Sequence, residues 1–222
     1  MIISGTGHRP SKLVFEGVKN YSEEQFKFLT KLAEHSFIKL QPTKVISGMA
    51  LGWDMAVAQA AINQSIPFVA AVPFKGQEKQ WPQSSQNQFN SLLSRASETV
   101  LVSEGSYEPW KMQIRNQYLV DHCDLLVALW DGSKGGTGNC IEYAKKLNKP
   151  IRNLWEIMKP FHAYYSQHEY YSILLERYTD LAKILHPEST EKQISLKSDL
   201  DNLKNSILLE KIAIKSFWSN KP

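Results

Sequence analysis

Short apolar runs alternate with segments of helical periodicity over roughly the first 155 residues. Residues 67–73 and 124–130 are almost continuously apolar, as expected for parallel strands that are covered on both faces. Shorter apolar runs lie at 1–4, 44–46, 99–102 and 151–154. Strands that alternate with helices predict a parallel sheet with right-handed crossovers.

The amphipathic segments predict five helices between these strands, at about 22–40, 55–64, 86–94, 108–123 and 137–147. Ser22 is expected to cap the first helix, because Gln25 stands in the capping-box position. Pro109 falls near the first turn of the fourth helix, where its missing N–H group is tolerated.

The pattern changes after residue 160. Apolar and aromatic residues recur at helical spacing over 161–185, His186-Pro187 interrupts them, and a second helical run follows at 196–217. We predict an α/β protein in two parts: residues 1–157 form a three-layer, Rossmann-like parallel sheet, and residues 158–222 form a C-terminal helical hairpin. An aromatic stripe is typical of a core or an interface, so the hairpin is expected to pack on the first domain or on another subunit. We predict a homo-oligomer.

The composition is that of a globular protein, with 42% hydrophobic and 22% charged residues. No apolar run approaches the roughly 18 residues of a membrane span, and the first residues do not resemble a secretion signal. We therefore predict a cytoplasmic protein without a membrane partner. Cys123 and Cys140 lack the spacing of a zinc site, so no disulfide framework, metal or other cofactor is predicted.

The net charge of +4 arises from 26 basic and 22 acidic residues. The residues after position 160 are balanced, with 8 of each sign, so the excess belongs to the N-terminal part. This excess is modest and permits an anionic ligand.

A glycine-rich loop, DGSKGGTGNCIE at 131–142, joins the apolar run 124–130 to a helical segment. Gly135, Gly136 and Gly138 can bring backbone N–H groups onto an anion at the positive end of that helix. Alone, the motif also fits a tight turn that needs glycine only for its backbone angles.

Other loops also carry polar groups to the carboxyl ends of strands. In GTGHRP, Thr6 and His8 offer hydrogen bonds and Arg9 offers a fork for phosphate or carboxylate, although surface solvation is an alternative. In SGMALGWD, Gly48 suits close backbone approach. Asp54 fits either a helix cap, the commoner role, or a ligand contact.

Two further candidates have common structural alternatives. Trp81, after the third strand, can form the wall of a base or sugar pocket, but tryptophan is more often part of the core. Arg115 and Asn116 lie in mid-helix, where arginine usually extends to solvent. Ligands of such sheets bind beyond the carboxyl ends of the strands. The predicted ligand-binding residues are Gly5, Thr6, Gly7, His8, Arg9, Gly48, Asp54, Trp81, Asn116, Asp131, Gly135, Gly136, Thr137, Gly138 and Asn139.

Four loop sequences, GTGHRP, SGMALGWD, AVPFKGQEKQWP and ALWDGSKGGTGN, make residues 1–155 resemble the SLOG superfamily of Rossmann-like nucleotide-binding proteins, most closely its YpsA-like branch. The resemblance implies a nucleotide or nucleotide-derived ligand and a role as a sensor or sequestering protein. No GxGxxG with an acidic residue about 20 positions on is present, which disfavours a dinucleotide dehydrogenase.

Residues 112–142 are also similar to the Lonely-Guy phosphoribohydrolases, which pair an M-x-x-R-K helix with a G-G-x-G-T-x-x-E loop. Asn116 and Asn139 stand where that family has lysine and threonine, and about three extra residues lengthen the loop. The positions that match are Met112, Arg115, Gly135, Gly136, Gly138 and Glu142.

This second resemblance implies that Arg115 and Glu142 are catalytic in cleaving the N-glycosidic bond of a nucleoside 5′-monophosphate. A carboxylate stabilises an oxocarbenium-like sugar or activates water, and an arginine holds the phosphate. Nucleotide binding is our first hypothesis and this hydrolysis the alternative. Single-stranded DNA binding is a third, from a distant resemblance to DNA-processing proteins of the superfamily. Nucleic acid is not an expected partner, because the chain lacks a basic track with interleaved aromatic residues.

Overall fold

The computed structural model describes residues 1–13, 22–158 and 191–219, together with residues 162, 163, 167 and 175. The chain divides into two compact units, Met1–Trp155 and Glu156–Lys221.

The first unit is built on a parallel sheet of six strands in the order β4-β3-β2-β1-β5-β6, which confirms the predicted α/β fold. The chain moves outward from β1 to β4 and then returns to the other side of β1, so the order reverses between β1 and β5. The strands are β1 (Ile2–Gly7), β2 (Lys44–Ser47), β3 (Phe68–Val72), β4 (Glu98–Leu101), β5 (Leu125–Leu129) and β6 (Ile151–Asn153).

Helices cover both faces of this sheet. They are α1 (Glu23–Leu40), α2 (Trp53–Asn63), α3 (Gln83–Leu93), α4 (Pro109–Asp121) and α5 (Gly136–Lys146). Neighbouring residues of β1 show the layering: the Ser4 hydroxyl donates to the Leu119 carbonyl of α4, whereas Gly5 packs on Val57 of α2. Successive side chains of a strand point to opposite faces, so α2 and α4 lie on opposite sides of the sheet.

Local signals in the sequence explain where these elements begin. The predicted capping box at α1 is confirmed, because Ser22 accepts from the Gln25 backbone and the Gln25 side chain accepts from the Ser22 backbone. Pro109 occupies the first turn of α4, as predicted. Every residue of β3 and β5 is buried, in agreement with their continuous apolar sequence.

The second unit contains one long described helix, α6 (Glu191–Ser219), which confirms the second helical run of the prediction. The first run, 161–185, lies almost entirely outside the described residues. Within the part of the chain that the structure describes, no helix combines the length and apolarity needed to cross a membrane.

Candidate functional site

A crevice of about 380 Å³ lies at the carboxyl ends of β1 and β5, where the strand order reverses. This is where open α/β sheets bind ligands. The loop after β1 forms one wall and the glycine loop before α5 the opposite wall. The lining residues are Thr6, Gly7, His8, Arg9, Ser11, Lys12, Ala50, Asp54, Met112, Arg115, Asn116, Ser133, Lys134, Gly135, Gly136, Thr137 and Gly138.

The amino end of α5 opens into this crevice. Its N-cap residue is Gly135, whose φ of 143° is a conformation that side chains disfavour and which has no side chain to cap the helix. The first N–H groups of a helix have no partner within it, and the helix dipole makes this end positive. Asn116 fixes the turn, because its Nδ2 donates to the Gly136 carbonyl at 3.1 Å. The glycine turn therefore presents backbone donors to an anion.

A buried ion pair forms the floor of the crevice. Arg115 Nη1 lies 2.6 Å from Asp54 Oδ2, and these residues are only 6% and 3% exposed. The alternative that Arg115 extends to solvent is wrong. The commoner role of Asp54 as a helix cap is also wrong, because α2 has Gly52 as its N-cap and no side-chain cap.

A second polar cluster joins the two walls. His8 Nε2 lies 2.7 Å from Asp131 Oδ1, and that oxygen also accepts from the Ser133 backbone at 2.8 Å. Lys12 bonds to Ser133 Oγ and lies 3.7 Å from Asp131 Oδ2. Thr137 adds a third link by donating to the Gly7 carbonyl at 2.9 Å.

These contacts determine the ionisation of the His8 and Asp131 pair. Burial lowers the pKa of His8 and outweighs the opposing effect of Asp131. Burial opposes the charged form of Asp131, but hydrogen bonds from Ser133 and His8 hold the pKa of this carboxyl well below its usual range. Asp131 therefore stays a carboxylate at neutral pH and holds the glycine loop against the loop after β1.

A second cavity of about 560 Å³ adjoins the crevice, since Arg9 and Met112 line both. Its walls come from the segment after β3 and from the loop between β4 and α4. Lys111 holds the latter loop by donating to the carbonyls of Glu104 and Ser106. The other lining residues are Phe74, Lys75, Gly76, Gln77, Lys79, Gln80, Trp81, Ser106 and Tyr107.

Most of the predicted site residues line the crevice. Three of the exceptions lie beside it and support residues that line it or its strands. Gly5 is buried under Val57, Asp131 stands behind His8, and Gly48 supports the ion pair on the floor. Trp81 lines the second cavity. The predicted residues that line the crevice are Thr6, Gly7, His8, Arg9, Asp54, Arg115, Asn116, Gly135, Gly136, Thr137 and Gly138.

Glu142 and Asn139 lie in a third, shallow cavity of about 420 Å³, between α4 and α5. Glu142 is exposed and its carboxylate lies 2.8 Å from Lys145 Nζ. Within one chain, the structure does not bring Glu142 and Arg115 into a common cavity.

Sequence reasoning missed several lining residues. Lys134 lies inside the glycine-rich loop 131–142, and Lys12 follows the GTGHRP loop by two residues, so a count of the cations in and beside these loops would have found both. Gln77 likewise lies inside the loop AVPFKGQEKQWP, although it was not among the predicted ligand-binding residues. Tyr107 offered no comparable signal, because only the folded chain brings the loop after β4 beside the segment after β3.

The chain is similar to known proteins both in sequence and in fold. The sequence profile of the YspA SLOG family matches residues 3–176. The prophage-derived protein YoqJ of Bacillus subtilis is 35% identical over 134 residues, which cover 53% of this chain and 78% of YoqJ. The UPF0398 protein BH1768 of Halalkalibacterium halodurans is 28% identical over 156 residues, 65% of this chain and 80% of that protein.

Among solved structures, DNA processing protein A of Helicobacter pylori matches with a TM-score of 0.49 at 16% identity, covering 68% of this chain and 63% of that one. The Streptococcus pneumoniae protein of the same name gives 0.47 at 16% identity, covering 67% of this chain and 48% of that one. At these scores the likeness identifies no ligand.

Proposed function

This chain belongs to the YspA SLOG family, and we propose that its crevice binds the phosphate of a nucleotide or nucleotide-derived ligand. The family match over residues 3–176 confirms the resemblance to the YpsA-like branch. A protein that binds such a ligand without changing it acts as a sensor or a sequestering protein.

The charge of the crevice is the observation that carries the proposal. Among the described residues that line it, four carry a full positive charge, namely Arg9, Lys12, Arg115 and Lys134, and the single carboxylate is that of Asp54. Asp54 is already paired with Arg115. An anion in the crevice would therefore meet several cations together with the positive end of α5.

The adjoining cavity favours a nucleotide over a simple anion. Phe74, Trp81 and Tyr107 give it aromatic walls, and it shares Arg9 and Met112 with the crevice. A ligand with phosphate at one end and an aromatic base at the other fits this pair of cavities.

Replacing Arg9 with methionine is expected to weaken binding of nucleoside 5′-monophosphates about tenfold or more, because a hydrogen bond to a charged group is worth about 1.5–3 kcal/mol. Arg9 is exposed by surface area and forms no salt bridge among the described residues, although burial lowers its pKa and the Asp54 carboxylate opposes this shift. We therefore expect only a small effect on folding. Titration calorimetry with a panel of monophosphates measures the change.

Arg95→Met is the matched control, because Arg95 is an exposed arginine after α3 that does not line the crevice. Equal losses in the two variants would indicate a general charge effect and contradict the proposed site. Tight binding of a single-stranded oligonucleotide, with none of any monophosphate, would replace the proposal by the third hypothesis.

Under the hydrolytic alternative Glu142 is catalytic, whereas under the binding proposal it takes no part. We expect Glu142→Gln to leave nucleotide affinity unchanged within about twofold, because Glu142 does not line the crevice. Folding should also be unaffected, since an exposed ion pair such as Glu142–Lys145 contributes about 0–1 kcal/mol to stability. We also expect the wild-type protein to release no free base. Chromatography of nucleotides after incubation tests this, and base release that Glu142→Gln abolishes would establish hydrolysis instead.

A further inference from the structure

We infer that the second cavity is a nucleobase subsite and that Gln77 selects bases carrying an exocyclic amino group. The inference rests on the proposed function, because the base would occupy this cavity while the phosphate of the same ligand is held in the crevice. Adenine, cytosine and guanine all carry such a group. In adenine and cytosine it stands where hypoxanthine and uracil carry a carbonyl oxygen, so these two bases allow a direct test.

The orientation of Gln77 is fixed by its surroundings. The residue lines the second cavity and is only 8% exposed. Its Nε2 donates to the Met49 carbonyl at 3.1 Å. A carbonyl oxygen only accepts hydrogen bonds, so the amide nitrogen must face Met49 and Oε1 must face away from it.

Gln77 Oε1 has no hydrogen-bond partner among the described residues, although it is shielded from solvent. A buried acceptor without a partner is unfavourable, and most such groups in folded proteins are satisfied. A ligand that donates a hydrogen bond would supply the missing partner once it displaces the groups that cover Oε1. A ligand that offers another acceptor would be disfavoured twice, because it leaves Oε1 unsatisfied and adds a repulsive contact.

The walls of the cavity suit a planar aromatic group. The Trp81 ring packs edge-on against Phe89 of α3 with centroids 5.6 Å apart, and Phe74 holds Tyr107 in the same way at 5.6 Å. Each ring is thus supported on one side by a neighbouring aromatic residue. Bases stack on such rings without regard to their edges, so stacking gives affinity and Gln77 gives selectivity.

The discriminating chemistry is an exchange of donor and acceptor at two adjacent positions. Inosine differs from adenosine, and uridine from cytidine, by a carbonyl oxygen in place of the amino group, with a proton added to the adjacent ring nitrogen. The exocyclic group changes from donor to acceptor, and the adjacent ring nitrogen changes from acceptor to donor, so the two members of each pair present opposite patterns. A site built to bond one of them rejects the other strongly, because its own polar group is left unpaired.

The test uses calorimetry on the 222-residue chain to compare the 5′-monophosphate of adenosine with that of inosine, and that of cytidine with that of uridine. We expect the amino-bearing member of at least one pair to bind about tenfold more tightly. Gln77→Met should reduce this ratio towards one. Gln83→Met is the matched control, since Gln83 is exposed at the start of α3 and does not line this cavity, and it should keep the wild-type ratio.

Ribose 5-phosphate has a phosphate but no base, so its binding tests the proposed phosphate site separately from the nucleobase subsite. It also shows whether each variant is folded. If neither it nor any nucleotide binds, the proposed function fails. If the nucleotides bind but each pair binds equally, only the nucleobase inference is overturned. A preference confined to one pair supports the inference and identifies the base. If Gln77→Met does not fold, the affinity ratios of the wild-type protein still decide whether the cavity selects an amino group.

Discussion

Replacing Arg115 with methionine is expected to lower the free energy of unfolding by about 3–5 kcal/mol and to abolish ligand binding. Removal of one member of a buried ion pair typically has an effect of this size, because the other charge remains buried without compensation. Here that charge is Asp54, which is 3% exposed and lies 2.6 Å from Arg115 Nη1. Urea denaturation measures the stability, and nucleotide titration measures the binding.

A double variant separates the structural role of Arg115 from its role in binding. Arg115→Met combined with Asp54→Leu leaves no buried charge, so we expect most of the lost stability to return while binding stays absent. Recovery of both properties would show that the pair is structural only. A stability loss below about 1 kcal/mol in the single variant would show that the pair is effectively hydrated.

Gly48→Ala is expected to displace the same guanidinium without removing any charge. A β-carbon at position 48 would lie 1.6 Å from Arg115 Nη1 and 2.8 Å from Asp54 Oδ2. Gly48 has no positive φ, so its role is to leave space and not to adopt an unusual backbone conformation. We expect a stability loss of about 1–3 kcal/mol, the usual range for overpacking, together with a loss of nucleotide affinity of about tenfold or more.

The cause of the stability loss in Gly48→Ala can be tested in the Arg115→Met variant, which lacks the guanidinium. If the clash with Arg115 is the cause, Gly48→Ala should have little further effect on stability once Arg115 is methionine, so the two changes are not additive. Equal stability losses in both backgrounds would place the cause elsewhere in the loop after β2.

The fold was predictable because its signals are local. The continuous apolar sequence of β3 and β5 indicated strands buried on both faces, and Ser22 with Gln25 indicated the start of α1. Glycine loops at successive strand ends then placed the crevice, because parallel strands bring their carboxyl ends to one edge. Each of these inferences needs only neighbouring residues and the rules of α/β folds.

The floor of the crevice could not be predicted in the same way. Arg115 and Asp54 are 61 positions apart, and neither a helical arginine nor an aspartate near a helix start signals a distant partner. Propensity favoured solvent for the first and a cap for the second, and the fold overrode both. The placement of Glu142 likewise depends on which face of α5 turns towards α4, which a motif match does not contain.

The pairing of β5 with β1 also affects the order in which the sheet can fold during synthesis. Ile3 pairs with Leu125, and His8 reaches Asp131 across 123 positions, so β1 has an unpaired edge until β5 has left the ribosome. Contacts between such distant residues form late and slow the folding of a domain. During synthesis, therefore, the strands from β1 to β4 can assemble before any crevice exists, and the edge of β1 stays available for wrong pairing until the glycine loop arrives.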